Sequence, residues 1–371
     1  MRTVLLHFFL FLLTFPLAAQ EIPTFTIQGF VKDSKTLDPL PNVNVFLANT
    51  SRGAATDLKG EFIIQNVPAG VYDIVVSMVG YERFVTRLRL LDYQKKPLQV
   101  LLKETTYEVP QIEVVAKDDA EWRKQLAKFK EYIFGETTNG AQCELKNPLD
   151  LDFHTDPKTG RFEATARKPL TIENRALGYK LELVLQVFVV DGLTFKYGGL
   201  THFMEMTPKD SVQRKEWYEA RERAYRGSMR HFLVSLIENR LRQEGFGISL
   251  MYQIPNSRTR LVPREEVTRD EILKAGHYPF ERRLMFQSYL RVEYTKEPPE
   301  PGFMKFWAEQ SRYQDPMGDQ YQVSWLMLNF GDVRMGVDGN LYDPYNLLTY
   351  GYWSYERIGE WLPLDYKSSE E

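Results

Sequence analysis

Turn-forming residues recur about every ten positions between residues 25 and 104, with apolar residues alternating between them. That interval leaves no room for a crossover helix and fits a sandwich of short strands. Strands are expected at 25–31, 43–47, 61–64, 71–78, 83–91 and 98–102. In the second of these Val43, Val45 and Leu47 alternate with Asn44 and Phe46, which points the first set inward. Asp57-Leu58-Lys59-Gly60 reads as a tight turn, with Gly60 at the position that needs positive φ. Pro68-Ala69-Gly70 and Gly80 mark similar breaks. Aromatic residues make up 13% of the chain, and they supply both strand propensity and core volume.

The same residues carry a family resemblance. Gly29-Phe30-Val31-Lys32-Asp33, Leu40-Pro41-Asn42-Val43-Asn44-Val45, Gly53, Thr56-Asp57-Leu58-Lys59-Gly60-Glu61-Phe62, Val67-Pro68-Ala69-Gly70-Val71-Tyr72 and Val79-Gly80-Tyr81 follow in order. Together they closely resemble the carboxypeptidase regulatory-like domain. The resemblance implies a transthyretin-like, carbohydrate-binding-like sandwich at 25–104. That module is appended to zinc carboxypeptidases and is not itself catalytic, so fold carries no activity here. It also precedes many TonB-dependent outer-membrane transporters of Gram-negative bacteria, followed there by a segment like Gln111-Ile112-Glu113-Val114-Val115-Ala116. The rest of this chain is too short for a large transmembrane barrel, contains long helical stretches, and ends in the polar tail Lys367-Ser368-Ser369-Glu370-Glu371. As a whole it looks similar to uncharacterised Gram-negative envelope proteins with this module at their N-terminus.

Residues 1–20 read as a secretory signal peptide. Met1-Arg2 is a short basic start, 4–13 is almost entirely apolar, and Pro16-Leu17-Ala18-Ala19-Gln20 offers small residues for cleavage after Ala19 or Gln20. The apolar run falls short of the roughly 20 residues needed to span a bilayer. No cysteine lies near the cleavage site for lipid attachment, and no later segment reads as a membrane helix. The mature chain is expected in the periplasm or at the outer-membrane periphery. Cys143 is the single cysteine, so it forms neither an intrachain disulfide nor a cysteine zinc cluster, and it reads as a small buried hydrophobe. The net charge of −3 gives no drive toward nucleic acid.

After a linker at 105–117, residues 118–366 read as an α+β domain. Asp118-Asp119 can cap a helix from Ala120, with Trp122, Leu126, Phe129 and Ile133 on one face and Gly135 as its stop. A hairpin is expected from 150–154 and 161–166 around Asp156-Pro157-Lys158-Thr159-Gly160. Leu181, Leu183, Leu185, Val187 and Val189 alternate along one long half-buried strand. A helical pair follows. Thr207 is read as the cap of the first helix, with Pro208 at its first position, and the helix runs to Tyr225. Ser228 caps the second, whose stripe is Met229, Phe232, Leu233, Leu236, Ile237 and Leu241, ending at Gly245. Strands return at 246–252, 284–294 and 322–330. A loop is expected at 297–302 and a hairpin turn at Asp338-Gly339.

No catalytic constellation, metal site or cofactor is assigned. His202-Phe203-Met204-Glu205 has the H-x-x-E spacing of zinc carboxypeptidases, but no further histidine follows at the family's distance and a strand is expected there. Asp150, Asp152, His154 and Asp156 alternate as the wet face of a strand would, without the glycine and closing glutamate of a calcium loop. Neither a G-x-S-x-G elbow nor a phosphate loop is present. Residues 209–242 hold nine Lys or Arg against five Asp or Glu. Trp217, Tyr225, Arg226, Ser228, Arg230 and His231 gather around the break between the helices, and free N–H groups at Ser228 favour an anion. This patch is the candidate binding site for an acidic or carbohydrate-like partner; the competing reading is a solvated helix face with pairs such as Glu222–Arg226. The expected function is non-enzymatic: binding to, or assembly with, an envelope protein or glycan. The alternatives are an accessory role in TonB-dependent uptake or secretion, and a hydrolase built from distant residues.

Overall fold

A computed structural model describes residues 23–91, 96–105, 120–192, 194–254, 264–309 and 320–369. The signal-like segment, the Asp118-Asp119 cap and 111–116 lie outside the described residues.

The N-terminal strands are β1 (Thr24–Asp33), β2 (Asn44–Leu47), β3 (Gly53–Ala55), β4 (Glu61–Pro68), β5 (Gly70–Ser77), β6 (Phe84–Leu90) and β7 (Leu98–Leu102). They form an all-β sandwich of two sheets, β4-β1-β7 and β3-β2-β5-β6. Ile27, Val31, Val45, Leu47, Ile74 and Val100 fill the space between them. Gly60 has φ of 73°, and a Cβ there would lie 2.4 Å from the Val31 carbonyl oxygen, so the turn accepts only glycine. The alternation in β2 is as expected on its inner face, but the outer face is not wet: Phe46 is only 2% exposed.

The remaining chain is α+β. Helix α1 (Ala120–Phe134) lies over a six-stranded sheet of β8 (Cys143–Leu145), β9 (Leu151–Thr155), β10 (Phe162–Ala166), β11 (Leu170–Asn174), β12 (Tyr179–Asp191) and β13 (Thr194–Glu205). Phe129, Ile133, Phe162, Leu181, Leu183 and Phe188 share one core. The hairpin at 156–160 is present as β9 and β10, with Asp156 accepting from the Lys158 and Thr159 N–H groups. The long strand departs from its expected face. A register shift between Leu185 and Val187 inserts one residue into β12, so Phe188 and Val190 turn inward in place of Val187 and Val189. A bulge moves every later side chain to the opposite face.

The helical pair is α2 (Ser211–Tyr225) and α3 (Met229–Ile237), followed by the short α4 (Leu241–Glu244). Asp210, not Thr207, is the N-cap of α2, because its carboxylate reaches the Gln213 N–H at 2.8 Å. The second helix is split, since Asn239 adopts φ of 60° and cannot continue it. A five-stranded sheet then packs on α3 through Leu290, Val292, Leu326 and Phe232. Its strands, in sheet order, are β15-β14-β18-β19-β21: β14 (Phe246–Met251), β15 (Arg264–Glu266), β18 (Tyr289–Tyr294), β19 (Gln322–Leu328) and β21 (Leu347–Gly351). A small sheet of β16 (Leu273–Ala275), β17 (Glu281–Leu284) and β20 (Val333–Gly336) follows the one-turn helix α5 (Arg269–Ile272). The strand expected at 284–294 is therefore two strands in two sheets, parted where Ser288 has φ of 60°. The loop at 297–302 gives way to helix α6 (Pro301–Glu309), with Pro301 pre-set for the first turn and Phe303 and Trp307 buried one turn apart. The short helix α7 (Tyr352–Tyr355) follows β21. The Asp338-Gly339 turn forms as expected, with Gly339 at φ of 79°.

Two apolar contacts pack the sandwich against the rest. On one, Phe46, Ala48 and Val75 pack against Val184 and Leu200 of β12 and β13. On the other, Ala69 and Val71 pack against Phe280 and Tyr342.

Candidate functional site

The segment singled out for its basic excess folds around an internal partner. Gly227 takes φ of 74° and turns the chain from α2 into α3, where the Ser228 hydroxyl oxygen accepts the His231 N–H at 3.1 Å. Trp217 is buried two turns earlier, donating its indole N–H to the Arg175 carbonyl oxygen at 2.8 Å. It packs where Gly178, at φ of 68°, leaves no room for a Cβ. Tyr225 is buried between the His231 ring, at 5.0 Å, and Tyr366, at 6.0 Å. Arg226 keeps a loose 3.8 Å contact with Glu222. Arg230 donates to four main-chain oxygens: Asp338 at 3.2 Å, Pro363 at 3.1 Å, Leu364 at 2.7 Å and Tyr366 at 3.0 Å. Five of the six predicted residues thus converge at the helix break, while Trp217 points away toward β11 and its loop.

The partner is the C-terminal segment 361–369. Besides Arg230, it is held by Glu222, a buried acid amid the basic run. The Glu222 carboxylate accepts from the Tyr366 and Ser368 hydroxyls and from the Ser369 N–H and hydroxyl. Burial pushes the Glu222 pKa up, but these four donors outweigh it and hold the group below its ordinary value. The segment also reaches the sandwich: Leu364 N–H donates to the Asn49 carbonyl oxygen at 2.8 Å, and Asp365 accepts the Ser51 N–H at 2.8 Å and its hydroxyl at 2.6 Å. The polar tail is therefore docked through Ser369. Nothing in the run 367–369 announces this, but an acid flanked by Arg221, Arg223 and Arg226 was a visible oddity.

His202 lies in the contact between the two parts. Its ring stacks on Phe46 at 4.6 Å with an 8° interplanar angle. It sits on a strand, so Glu205, three residues on, projects to the opposite face and cannot share a metal with it. Its Nδ1 is buried and finds no hydrogen-bond partner among the described residues. Burial holds its pKa down at about 4 against the pull of Asp365. His231 is held at about 4 as well, by burial opposed by Glu244. Both imidazoles titrate near 6.5 in the unfolded chain. Between pH 6.5 and 4 the unfolded state therefore binds the extra protons. Stability from these groups is complete above about pH 6.5 and is lost as pH falls toward 4. His202→Phe keeps the stack and removes the orphaned nitrogen. It is expected to raise stability at pH 7 by about 1 kcal/mol and to flatten part of the acid loss in urea unfolding measured from pH 7 to 4. An unchanged slope would count against the assignment.

His231 and Cys143 are otherwise disposed. His231 Nδ1 accepts the Gly227 N–H at 3.1 Å and Nε2 faces Glu244 at 3.6 Å, so neither nitrogen is aimed at a hydroxyl. Burial pushes the Cys143 thiol up to about 12, away from the thiolate. Among the described residues no group of three or more His, Cys, Asp or Glu is placed to hold a metal, and no helix is long and apolar enough to cross a membrane. An open groove of about 520 Å³ lies beside β16 and the 276–280 turn, lined by Arg269, Lys274, His277, Tyr278, Pro279 and Arg282. The sequence reading missed it, although three basic residues close to an H-Y-P turn were the available signal.

An all-β sandwich set ahead of an α+β body, clamped by the C-terminal segment, is the class of protein these contacts define. Residues 27–114 match the family model of the CarboxypepD_reg-like domain, which bears out the resemblance carried by the turn residues. That family is a regulatory-like domain. No curated protein matches the chain. Among solved structures, a cohesin–X-dockerin complex from Acetivibrio cellulolyticus aligns at 20% identity and a TM-score of 0.20, over 22% of this chain and 58% of that one. The chain thus spans less than two thirds of that relative's length. A candidate carbohydrate-binding protein from Bacteroides uniformis aligns at 10% identity and a TM-score of 0.19, covering 49% of this chain and 80% of that one. A DUF3823 family protein from Bacteroides ovatus aligns at 9% identity and a TM-score of 0.18, covering 50% and 82%. Likeness at that level says nothing about what this chain binds.

Proposed function

We propose that this is an exported, non-enzymatic envelope protein. Its sandwich (25–104) and α+β part (118–366) act as one body that binds or assembles with another envelope component, a protein or a glycan. The observation that carries this reading is the use to which the junction's polar groups are put. Arg230, Glu222, Ser228 and His231 are spent on caps, main-chain carbonyls and the C-terminal segment, which builds a rigid platform and leaves none of these four poised as acid, base or nucleophile. The signal-like residues 1–20 support export, and the regulatory-like module supports a binding role. The patch read from the sequence as an anion dock serves this function indirectly, by holding the two parts together.

The test is fractionation of the native host followed by mass measurement. The expected chain begins at Gln20 or Glu21, is found with the envelope, and co-elutes with an envelope component at low salt. An intact residue 1–20 segment in cytosolic protein, or zinc-dependent peptide cleavage by the purified chain, would overturn the proposal.

A further inference from the structure

The groove beside β16 carries chemistry that the clamp does not use. It is lined by Arg269, Lys274, His277 and Arg282, and no carboxylate lines it. The nearest acids are turned aside. Asp270 is exposed and pairs with Arg269 at 2.6 Å, while Glu281 is buried behind the turn, accepting the His277 N–H at 3.5 Å. Lys274 is anchored to the Asp270 carbonyl oxygen; the acid that feels its charge, Glu271, is turned to the start of its own helix, accepting from the Thr268 N–H and hydroxyl.

Arg282 is the distinctive group. One terminal nitrogen, Nη1, donates to the Pro279 carbonyl oxygen at 2.8 Å and to that of Glu281 at 2.9 Å. These bonds fix the guanidinium plane without neutralising it. Its remaining donors meet no hydrogen-bond acceptor among the described residues, which leaves a pre-oriented fork for two oxygens of one oxyanion. A fixed fork loses little conformational entropy on binding. The volume lies within the range of small-ligand sites, about 300–1,000 Å³, and a lone phosphate would leave much of it empty. The Tyr278 ring is already engaged, stacked on Phe280 at 5.5 Å with the Arg89 guanidinium 5.8 Å from its centre. A flat aromatic ligand therefore finds no obvious platform, whereas the polar walls suit hydroxyl groups.

We infer that this groove binds a saccharide bearing carboxylate or phosphate groups, with Arg282 gripping the oxyanion and Lys274 supporting it. The inference rests on the proposed binding role and names the ligand class. Titration calorimetry on the full mature chain tests it with trigalacturonate, mannose 6-phosphate, neutral maltotriose, an acidic peptide and inorganic phosphate. The two anionic saccharides are expected to bind, and added salt to weaken them. Arg282→Ala should cost at least about tenfold, with Arg282→Lys intermediate because a point charge replaces the fork. Lys274→Ala, at an exposed position, gives a second reading should Arg282→Ala disturb the turn. Equal binding of maltotriose, tighter binding of the peptide, binding of inorganic phosphate alone, or unchanged affinity in both alanine variants would overturn it. Absent saccharide binding with intact export and partner co-elution sinks the groove alone; cytosolic location sinks the reading beneath it.

Discussion

Phe46→Ala should lower the unfolding free energy by about 3–5 kcal/mol, the range for deleting a buried phenyl ring. Sequence alternation places Phe46 on the outer face of the sandwich, where a phenyl group would ordinarily be expendable. Yet it is 2% exposed, stacked on His202 and packed with Val75, Val184 and Leu200. Removing it leaves a hole that the surroundings cannot close easily. The β2 backbone is fixed on both sides by β3 and β5, and the adjoining turn is tied to β13 by the Asn49 N–H to the Thr201 carbonyl oxygen and the Phe203 N–H to that of Thr50. Residual cavity therefore adds to the lost burial. Val85→Ala on β6 is the matched control, because that side chain is 44% exposed and should change stability by no more than about 0.5 kcal/mol. Urea unfolding of both variants at pH 7 checks the difference. A Phe46→Ala loss below about 1 kcal/mol would mean that the sandwich rests on the second part without depending on it.

The same residue shows what sequence could and could not disclose. Turn chemistry is local, so the sandwich was legible from Gly60, Asp57 and the alternation of Val43, Val45 and Leu47. Helix caps are local too, and Ser228 was read correctly. Where a nearer side chain could do the same job, the reading slipped: Asp210 took the role given to Thr207. Bulges are invisible to strict alternation, because Leu181 to Val189 satisfy the pattern whether or not one residue is inserted. Contacts distant in sequence were not legible at all. Nothing in Phe46, His202 or Asp365 taken singly shows that they meet, and the basic excess near Arg230 looked like an open anion dock because its partners lie more than a hundred residues on. Main-chain carbonyls carry no sequence signature, so an arginine saturated by them looks like a free one.

That saturation sets up the second large effect. Arg230→Ala should cost about 3–4 kcal/mol, although the residue's hydrogen bonds all go to main-chain oxygens. Its guanidinium supplies charged donors to the carbonyls of Asp338, Pro363, Leu364 and Tyr366. Each such bond contributes more than a neutral one, and removing the donor strands the acceptors. The full sum is not expected, because the segment lies partly exposed and water can reach some of the oxygens. Arg230→Lys should recover only part of the loss, since one ammonium cannot span acceptors arranged around a planar fork. Glu222→Ala should act on the same segment from the other side, by freeing the Tyr366, Ser368 and Ser369 donors. The two changes should therefore be less than additive: once either grip is lost the segment peels and the other grip has little left to hold. A double-mutant cycle in urea measures this, and early protease cleavage within 361–369 reports the peeling directly. Strict additivity, or an Arg230→Ala loss within about 0.5 kcal/mol of zero, would show that the C-terminal segment lies on the protein without clamping it. Released, that segment would also free Asp365 from Ser51 and Arg52. The Arg230 variant should consequently expose the Phe46–His202 contact to solvent before the sandwich core itself opens.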